Sequence, residues 1–206
     1  MAKAQSHFTP CVFFRFVPMC LCNFVPIKKW MTFSYTHFKS LHLIASYMSE
    51  TLSVSAQKVQ DALNRHGVSC RVVELPGSTR TAQEAAQAVG CCVEQIAKSL
   101  VFQGKTTKKP VLVVASGANR VNEKKLRDLL SEPVRKADAD FVREQTGFAI
   151  GGVPPAGLSN PMEIFIDEDL FKYPEIWAAA GTPHAVFKLT AADLLRITQG
   201  KVVSIT

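Results

Sequence analysis

Val93-Glu94-Gln95-Ile96-Ala97-Lys98-Ser99-Leu100-Val101-Phe102, continuing through Gly104 and Pro110 to Val111-Leu112-Val113-Val114-Ala115, is the stretch on which the fold turns. Val93, Ile96, Ala97 and Leu100 recur at helical spacing, which predicts a short helix running into a strand at 100–102. The segment from Gly104 to Pro110 then leads to a second strand at 111–115, so the pair reads as a hairpin.

Towards the N-terminus, Val59, Ala62, Leu63 and His66 share one face of a helix that starts near Ser53 and that Gly67 can end. A Val-rich strand is expected at 70–75, followed by a turn at Pro76-Gly77. Thr81-Ala82-Gln83-Glu84 matches a capping box opening a second helix, which ends at Gly90. Towards the C-terminus, Leu126, Leu129 and Leu130 mark a helix, and 139–145 another. The apolar run Phe148-Ala149-Ile150 reads as a strand entering Gly151-Gly152-Val153-Pro154-Pro155. Strands follow at 163–167 and 185–189, with a helix between them at 174–180 that has Pro at its start. Thr190 caps a last helix, Gly200 follows it, and 202–205 closes the chain as a strand. About seven strands and about six helices in irregular order predict a single α+β domain. Its sheet would be mixed, mostly antiparallel and barrel-like, unlike a doubly wound nucleotide fold.

Residues 1–47 do not share this pattern. They carry seven of the 13 Phe and three of the 6 Cys with no sustained period, and their most apolar stretch is broken by Arg15, Asn23 and two prolines. That excludes a clean bilayer span, and neither a secretory signal nor a transit peptide fits. Met48-Ser49-Glu50 resembles an ordinary protein start. The expected organisation is therefore an N-terminal extension, 1–47, disordered or from a misplaced start, and a folded domain, 48–206. The net charge of +7 divides in the same way, because five basic residues precede the first acidic one, Glu50, leaving 19 Lys+Arg against 17 Asp+Glu beyond it. A surface uniformly coated with positive charge is thereby excluded; contact with phosphate must come from local clusters such as Lys105, Lys108 and Lys109, or Lys124, Lys125, Arg127, Arg135 and Lys136. Cys70, Cys91 and Cys92 form no C-x-x-C motif and have no His at ligand spacing, so no metal and no cofactor is expected, and a reducing cytoplasm is the default compartment.

The sequence contains no nucleophile elbow, no P-loop, no H-E-x-x-H and no dinucleotide fingerprint, which removes the serine-hydrolase, P-loop and Rossmann readings. Three features remain. Gly151 and Gly152 can bring bare N–H groups against an oxyanion, with Pro154 and Pro155 stiffening the loop, or they can simply form a tight strand exit. Lys98 either snorkels to water or points its ammonium into a cleft to bind phosphate or carboxylate. His184, in Gly181-Thr182-Pro183-His184, is either a turn residue bonded to backbone or a base.

Taken in order, Thr81-Ala82-Gln83-Glu84-Ala85-Ala86, Glu94 through Phe102, Gly151-Gly152-Val153-Pro154-Pro155 and Phe165-Ile166-Asp167 resemble the YbaK/EbsC family. That family includes free-standing trans-editing proteins and the editing insertion of bacterial prolyl-tRNA synthetases. The resemblance extends from about residue 54 to the C-terminus. It implies an aminoacyl-tRNA deacylase acting on the ester of a mischarged, tRNA(Pro)-type substrate bearing a small amino acid. By the same resemblance Lys98, Gly151 and Gly152 are the catalytic group: the loop amides stabilise the tetrahedral oxyanion while the lysine engages either the terminal adenosine's phosphate or the aminoacyl end. A neighbouring ribose hydroxyl would help activate water, so no protein nucleophile is required. Thr81, Pro154, Pro155, Asp167 and His184 are the implied substrate-binding positions, Asp167 either orienting Lys98 or capping Glu168-Asp169-Leu170. The implied partners are mischarged aminoacyl-tRNA and a synthetase, with no membrane, the protein acting as a monomer or weak dimer. The Gly-Thr-Pro-His stretch departs from the family versions with His-rich or Gly-Lys-Arg-Gly segments, leaving the amino acid open. Two other classes stay in view: a catalytically silent tRNA- or protein-binding module of the same fold, and a hydrolase of another small acyl ester.

Overall fold

The computed structural model describes residues 51–206. The expectation for residues 1–47 lies outside them. Ser53 accepts a hydrogen bond from the Ala56 N–H and starts α1 (Val54–Arg65), which buries Ala56, Val59, Ala62 and Leu63. Strand β1 (Val72–Glu74) follows, then α2 (Ala82–Val89), whose capping box forms as the sequence predicts. The next elements are β2 (Ile96–Gly104), β3 (Pro110–Ser116), α3 (Glu123–Leu130), β4 (Val134–Lys136) and α4 (Ala139–Thr146). The chain ends through β5 (Glu163–Asp167), β6 (Ile176–Ala179), β7 (Ala185–Leu189), α5 (Ala191–Thr198) and β8 (Lys201–Val203).

All eight strands form one sheet in the order β1-β7-β6-β2-β3-β5-β8, with β4 pairing β2 beside that path. β1–β7, β2–β3, β2–β4 and β6–β7 are antiparallel, whereas β2–β6, β3–β5 and β5–β8 are parallel. The α+β architecture with a mixed sheet is therefore present, and the described residues contain eight strands and five α-helices. β3 explains why its sequence is a continuous apolar run. Leu112 and Val114 pack with α1 on one face of the sheet, and Val111, Val113 and Ala115 pack with Leu126 of α3 on the other.

Two expected helices are strands. After one 3-10 turn at Val93–Gln95 the chain enters β2, so Ile96, Ala97 and Leu100 lie in a strand and Lys98 stands within it rather than at a helix-to-strand junction. Both faces of β2 are covered: Ala97 and Val101 join the cluster beneath α1, while Leu100 and Phe102 join the one beneath α3. A strand buried on both sides loses its two-residue alternation and can mimic helical spacing. Residues 176–179 form β6 with alternating burial, because pairing to β2 and β7 overrides the helix preference of Ala178 and Ala179. The run Phe148-Ala149-Ile150 forms no strand; Phe148 is buried and Ile150 exposed in a loop. β4, whose sequence is mostly charge, is a short strand that periodicity does not reveal.

Thr81→Ala tests the local reading of α2. Thr81 Oγ1 accepts from the Glu84 N–H at 3.1 Å, and the Glu84 carboxylate accepts from the Thr81 N–H at 3.3 Å. Loss of this cap should cost about 1 kcal/mol. In thermal unfolding that appears as a Tm lowered by about 2–4 °C.

Candidate active site

The rungs of β2 leave a gap in the sheet. Along one edge β3 pairs with residues 97–103 without a break. Along the other, β6 pairs only with Ile96 and Ala97, and β4 begins only at Phe102. A cleft of about 410 Å³ opens beside this interval. Its floor is Ala97, Lys98, Ser99 and Leu100, and its walls are Ala82, Gln83, Ala85 and Val89 of α2 with its cap Thr81, Trp177 to Ala179 of β6, and Ile150, Gly151 and Val153 of the loop after α4.

Lys98 is half-buried, and its Nζ donates to the carbonyl oxygens of Asn119, at 2.5 Å, and Gly117, at 3.0 Å. Two of the three ammonium donors are thus engaged by the segment after β3, which leaves one for a ligand. Burial pulls the Lys98 pKa below its ordinary 10.5; the negative charge of Asp167 opposes that, and nearby Arg120 and Lys136 reinforce it. Asp167 is almost fully buried and does not line the cleft. Its Oδ2 accepts from the Ser116 N–H at 3.0 Å and from Asn119 Nδ2 at 2.8 Å, and its Oδ1 accepts from the Asp169 N–H. Asp167 therefore holds the Asn119 side chain, while the Asn119 main chain holds Lys98. It also caps the 3-10 turn Glu168–Lys172, one of the two roles considered from the sequence.

The glycine pair separates into two functions. Gly151 lines the cleft with φ +90°, a conformation that disfavours a side chain. Gly152 is buried outside the lining, with its N–H donated to Ala149 O at 3.1 Å and its carbonyl accepting from Gly181 N–H at 2.9 Å. Its amide closes the turn. A Cβ there would stand 2.8–2.9 Å from the main chain of Thr182, so Gly152 permits two loops to touch. Pro154 and Pro155 are buried behind the loop and do not line the cleft.

Thr81 lines the rim while serving as the cap of α2. His184 is exposed and away from the lining; its Nδ1 lies 3.0 Å from Gly77 O, and the adjacent main chain accepts from the Leu75 and Thr79 N–H groups. Those contacts fix the 75–79 turn against the 182–184 loop, which in turn positions Arg80. Arg80, Arg120 and Asn119 are site residues that sequence reasoning missed. None sits in a motif, and only the approach of the loops after β1 and β3 brings them to Lys98 and Gly151. Arg80 is exposed at the rim, its Cγ close to the space a Gly151 side chain would occupy. Of the sequence-predicted cations, Lys105, Lys108 and Lys109 are exposed in the β2–β3 hairpin. Arg127 is bonded to Asp128 and Arg135 to Gln103.

The cleft lining contains no His, Cys, Asp or Glu; its charged groups are Lys98 and Arg80. No cluster of metal-ligating side chains occurs among the described residues, and none of their helices is long and apolar enough to cross a membrane.

Residues 77–197 match the aminoacyl-tRNA editing domain. The chain belongs to this family. It is 34% identical over 131 residues to the protein YwhH of Bacillus subtilis, covering 64% of this chain and 83% of that one. It also resembles a crystal structure described as a candidate trans-editing enzyme for prolyl tRNA synthetase, with 52% identity and a TM-score of 0.72, covering 76% of this chain and 99% of that one. A proline–tRNA ligase of Kosmotoga olearia is 35% identical over 97 residues, which are 47% of this chain and only 16% of the ligase. The match is thus to one segment of a much longer enzyme. Every residue lining the cleft of this editing domain, from Thr79 to Val186, falls inside the family match.

Proposed function

We propose that the protein is a trans-acting deacylase that hydrolyses the ester between a small, wrongly attached amino acid and a tRNA of the tRNA(Pro) type. The observation that carries this reading is the composition of the cleft: an amide-bearing glycine loop and two cations, with no His, Cys, Asp or Glu, all within the stretch that matches the editing family. An aminoacyl ester is already activated, and the free hydroxyl of its terminal ribose can orient the attacking water and relay its proton to the departing ribose oxygen. Water adds to the carbonyl carbon, the carbonyl oxygen takes negative charge, and collapse expels the ribose oxygen, which recovers a proton.

In this scheme the Gly151 N–H donates to the developing oxyanion, a class of contact worth about 2.7–4 kcal/mol of barrier. The remaining donor of Lys98 engages the acyl end or the phosphate of the terminal nucleotide, and its tether to Gly117 and Asn119 keeps it from wandering. Pro154, Pro155, Asp167 and His184 act behind the cleft by holding the loops, and Thr81 by setting the rim. Arg80, Arg120 and Lys136 supply local positive potential for the RNA backbone around a domain of modest net charge.

A panel of tRNA(Pro) charged in turn with alanine, cysteine, serine and proline tests this. The full chain should release at least one small non-cognate amino acid well above the uncatalysed rate and spare the prolyl ester, and Cys91→Ala should leave the rate unchanged. No release from any member, with tRNA still bound, would reject the deacylase in favour of a binding module. Equal turnover of free amino acid esters would point to a general esterase.

A further inference from the structure

The hydrogen-bond phase of β2 identifies where its unpaired groups point. Gly104 donates its N–H to Lys109 O, so even-numbered residues of β2 turn their amides and carbonyls towards β3. Odd-numbered residues face the other edge: Val101 O accepts from the Ala137 N–H, and Lys105 N–H donates to Pro133 O. Of the odd-numbered residues in the interval that neither β6 nor β4 covers, Val101 is already met by Ala137 and Ser99 is left. Its N–H and C=O therefore point into the gap beside the cleft that Ser99 itself lines, past the last rung of β6 at Ala97 and short of the first rung of β4 at Phe102. Its hydroxyl is buried without a partner, alone in this respect among the described side chains, against the rule that buried polar groups find partners. The main-chain groups of this half-buried residue, in the middle of a nine-residue strand, face the open cleft instead of a neighbouring strand.

We infer that the main chain of Ser99 is the docking element for an α-amino acyl group, which pairs with it as a one-residue strand. This rests on the deacylase reading and deepens it. In an antiparallel ladder, a hydrogen-bonded pair of residues exchanges both bonds, N–H to C=O and C=O to N–H. An amino acid ester carries that complement in one unit: its α-amino group donates to Ser99 C=O, and its carbonyl oxygen accepts from Ser99 N–H. An acyl ester lacking the amine supplies only half. Seated this way, the scissile carbonyl rests on a donor from the floor of the cleft while Gly151 approaches from the wall. Ser99 thus supplies a second amide in place of that of Gly152, which its own turn consumes. The neighbouring Ala97, Val153 and Ala178 give this seat apolar surface against which an aliphatic acyl side chain can pack.

The test uses the ¹⁵N-labelled full chain and a non-hydrolysable probe, 3′-alanylamino-3′-deoxyadenosine. In the free protein the Ser99 amide should exchange with solvent faster than those of Leu100 and Phe102. On titration its proton resonance should move downfield and its exchange should slow at least tenfold. Shifts at Gly151 and Lys98 with Ser99 unmoved, or no shifts anywhere at millimolar probe, would overturn the inference. A second arm compares alanyl-tRNA with propionyl-tRNA, each corrected for its uncatalysed rate. The amine should be worth at least 30-fold in kcat/KM, and equal acceleration of the two would also overturn it. Absence of turnover on every charged tRNA, with Ser99 still responding to the probe, would remove the deacylase reading and leave the docking site standing.

Discussion

Lys98→Ala is expected to lower kcat/KM for deacylation by about 10²-fold or more, with tRNA binding only modestly weakened. Truncating one charged partner of a desolvated contact costs about 2–5 kcal/mol, and each 1.36 kcal/mol of lost transition-state stabilisation is a factor of ten. The fold should survive. The ammonium is held against its preference for water, as its lowered pKa reflects, so its removal relieves desolvation while leaving the Gly117 and Asn119 carbonyls with one bond fewer. The same shift has a pH signature. Only protonated Lys98 carries the positive charge and a third N–H beyond those held by Gly117 and Asn119, and its pKa lies below 10.5, so an alkaline loss of activity should set in at a lower pH than an exposed lysine would give. Lys98→Arg, which stays charged, should lack that limb. For stability the sign is opposite. Between the lowered folded pKa and 10.5 the unfolded chain binds the extra proton, so this group's contribution favours the fold increasingly as pH rises through that window. Activity that persists in Lys98→Ala, or an alkaline limb unchanged in Lys98→Arg, would remove the lysine from the mechanism.

Gly152→Ala should be the most damaging single methyl in the cleft loop. The added carbon meets main-chain atoms of Thr182, which no side-chain rotation can clear. Overpacking of this kind typically costs about 1–3 kcal/mol, and for a domain of this size each kcal/mol lowers Tm by about 2–4 °C. The activity loss should exceed what that instability explains, because displacing Gly152 from Thr182 and Gly181 also moves Gly151 at the cleft wall. Gly151→Ala makes the comparison: there the nearest obstacle is the flexible Arg80 side chain, 3.0 Å away, and the cost is mainly the strained φ of +90°. Circular dichroism melts together with single-turnover deacylation of both variants separate the effects. A Gly152→Ala protein that melts and reacts like the parent would show that the contact between the two loops is dispensable.

Local chemistry was legible wherever a residue's own neighbours in sequence decide its conformation. Thr81 and Thr190 cap helices as expected, α1 starts just after Ser53, and Gly90 follows α2. In each case a side chain or a bare Cα satisfies the end of its own helix, a short-range interaction. Lys98 and the glycine pair could be singled out because a cation among apolar residues and adjacent flexible positions are both anomalies against a regular pattern. Their order along the chain carried the family resemblance, which the match to residues 77–197 bears out.

Sequence alone therefore determined the α+β class, the capped helix starts at Thr81 and Thr190 and the membership of the editing family, since these depend on composition, local hydrogen bonding and the order of motifs. Tertiary structure decided the rest. Whether residues 96–100 and 176–179 were helix or strand depended on partners far away in the chain, because an apolar segment buried on both faces has no period of its own. Which glycine amide stays available, which carbonyls tether Lys98 and which rung of β2 goes unpaired were settled by where β6, β4 and the loops stop. A hydrogen-bonding group becomes a site only when the fold withholds its internal partner.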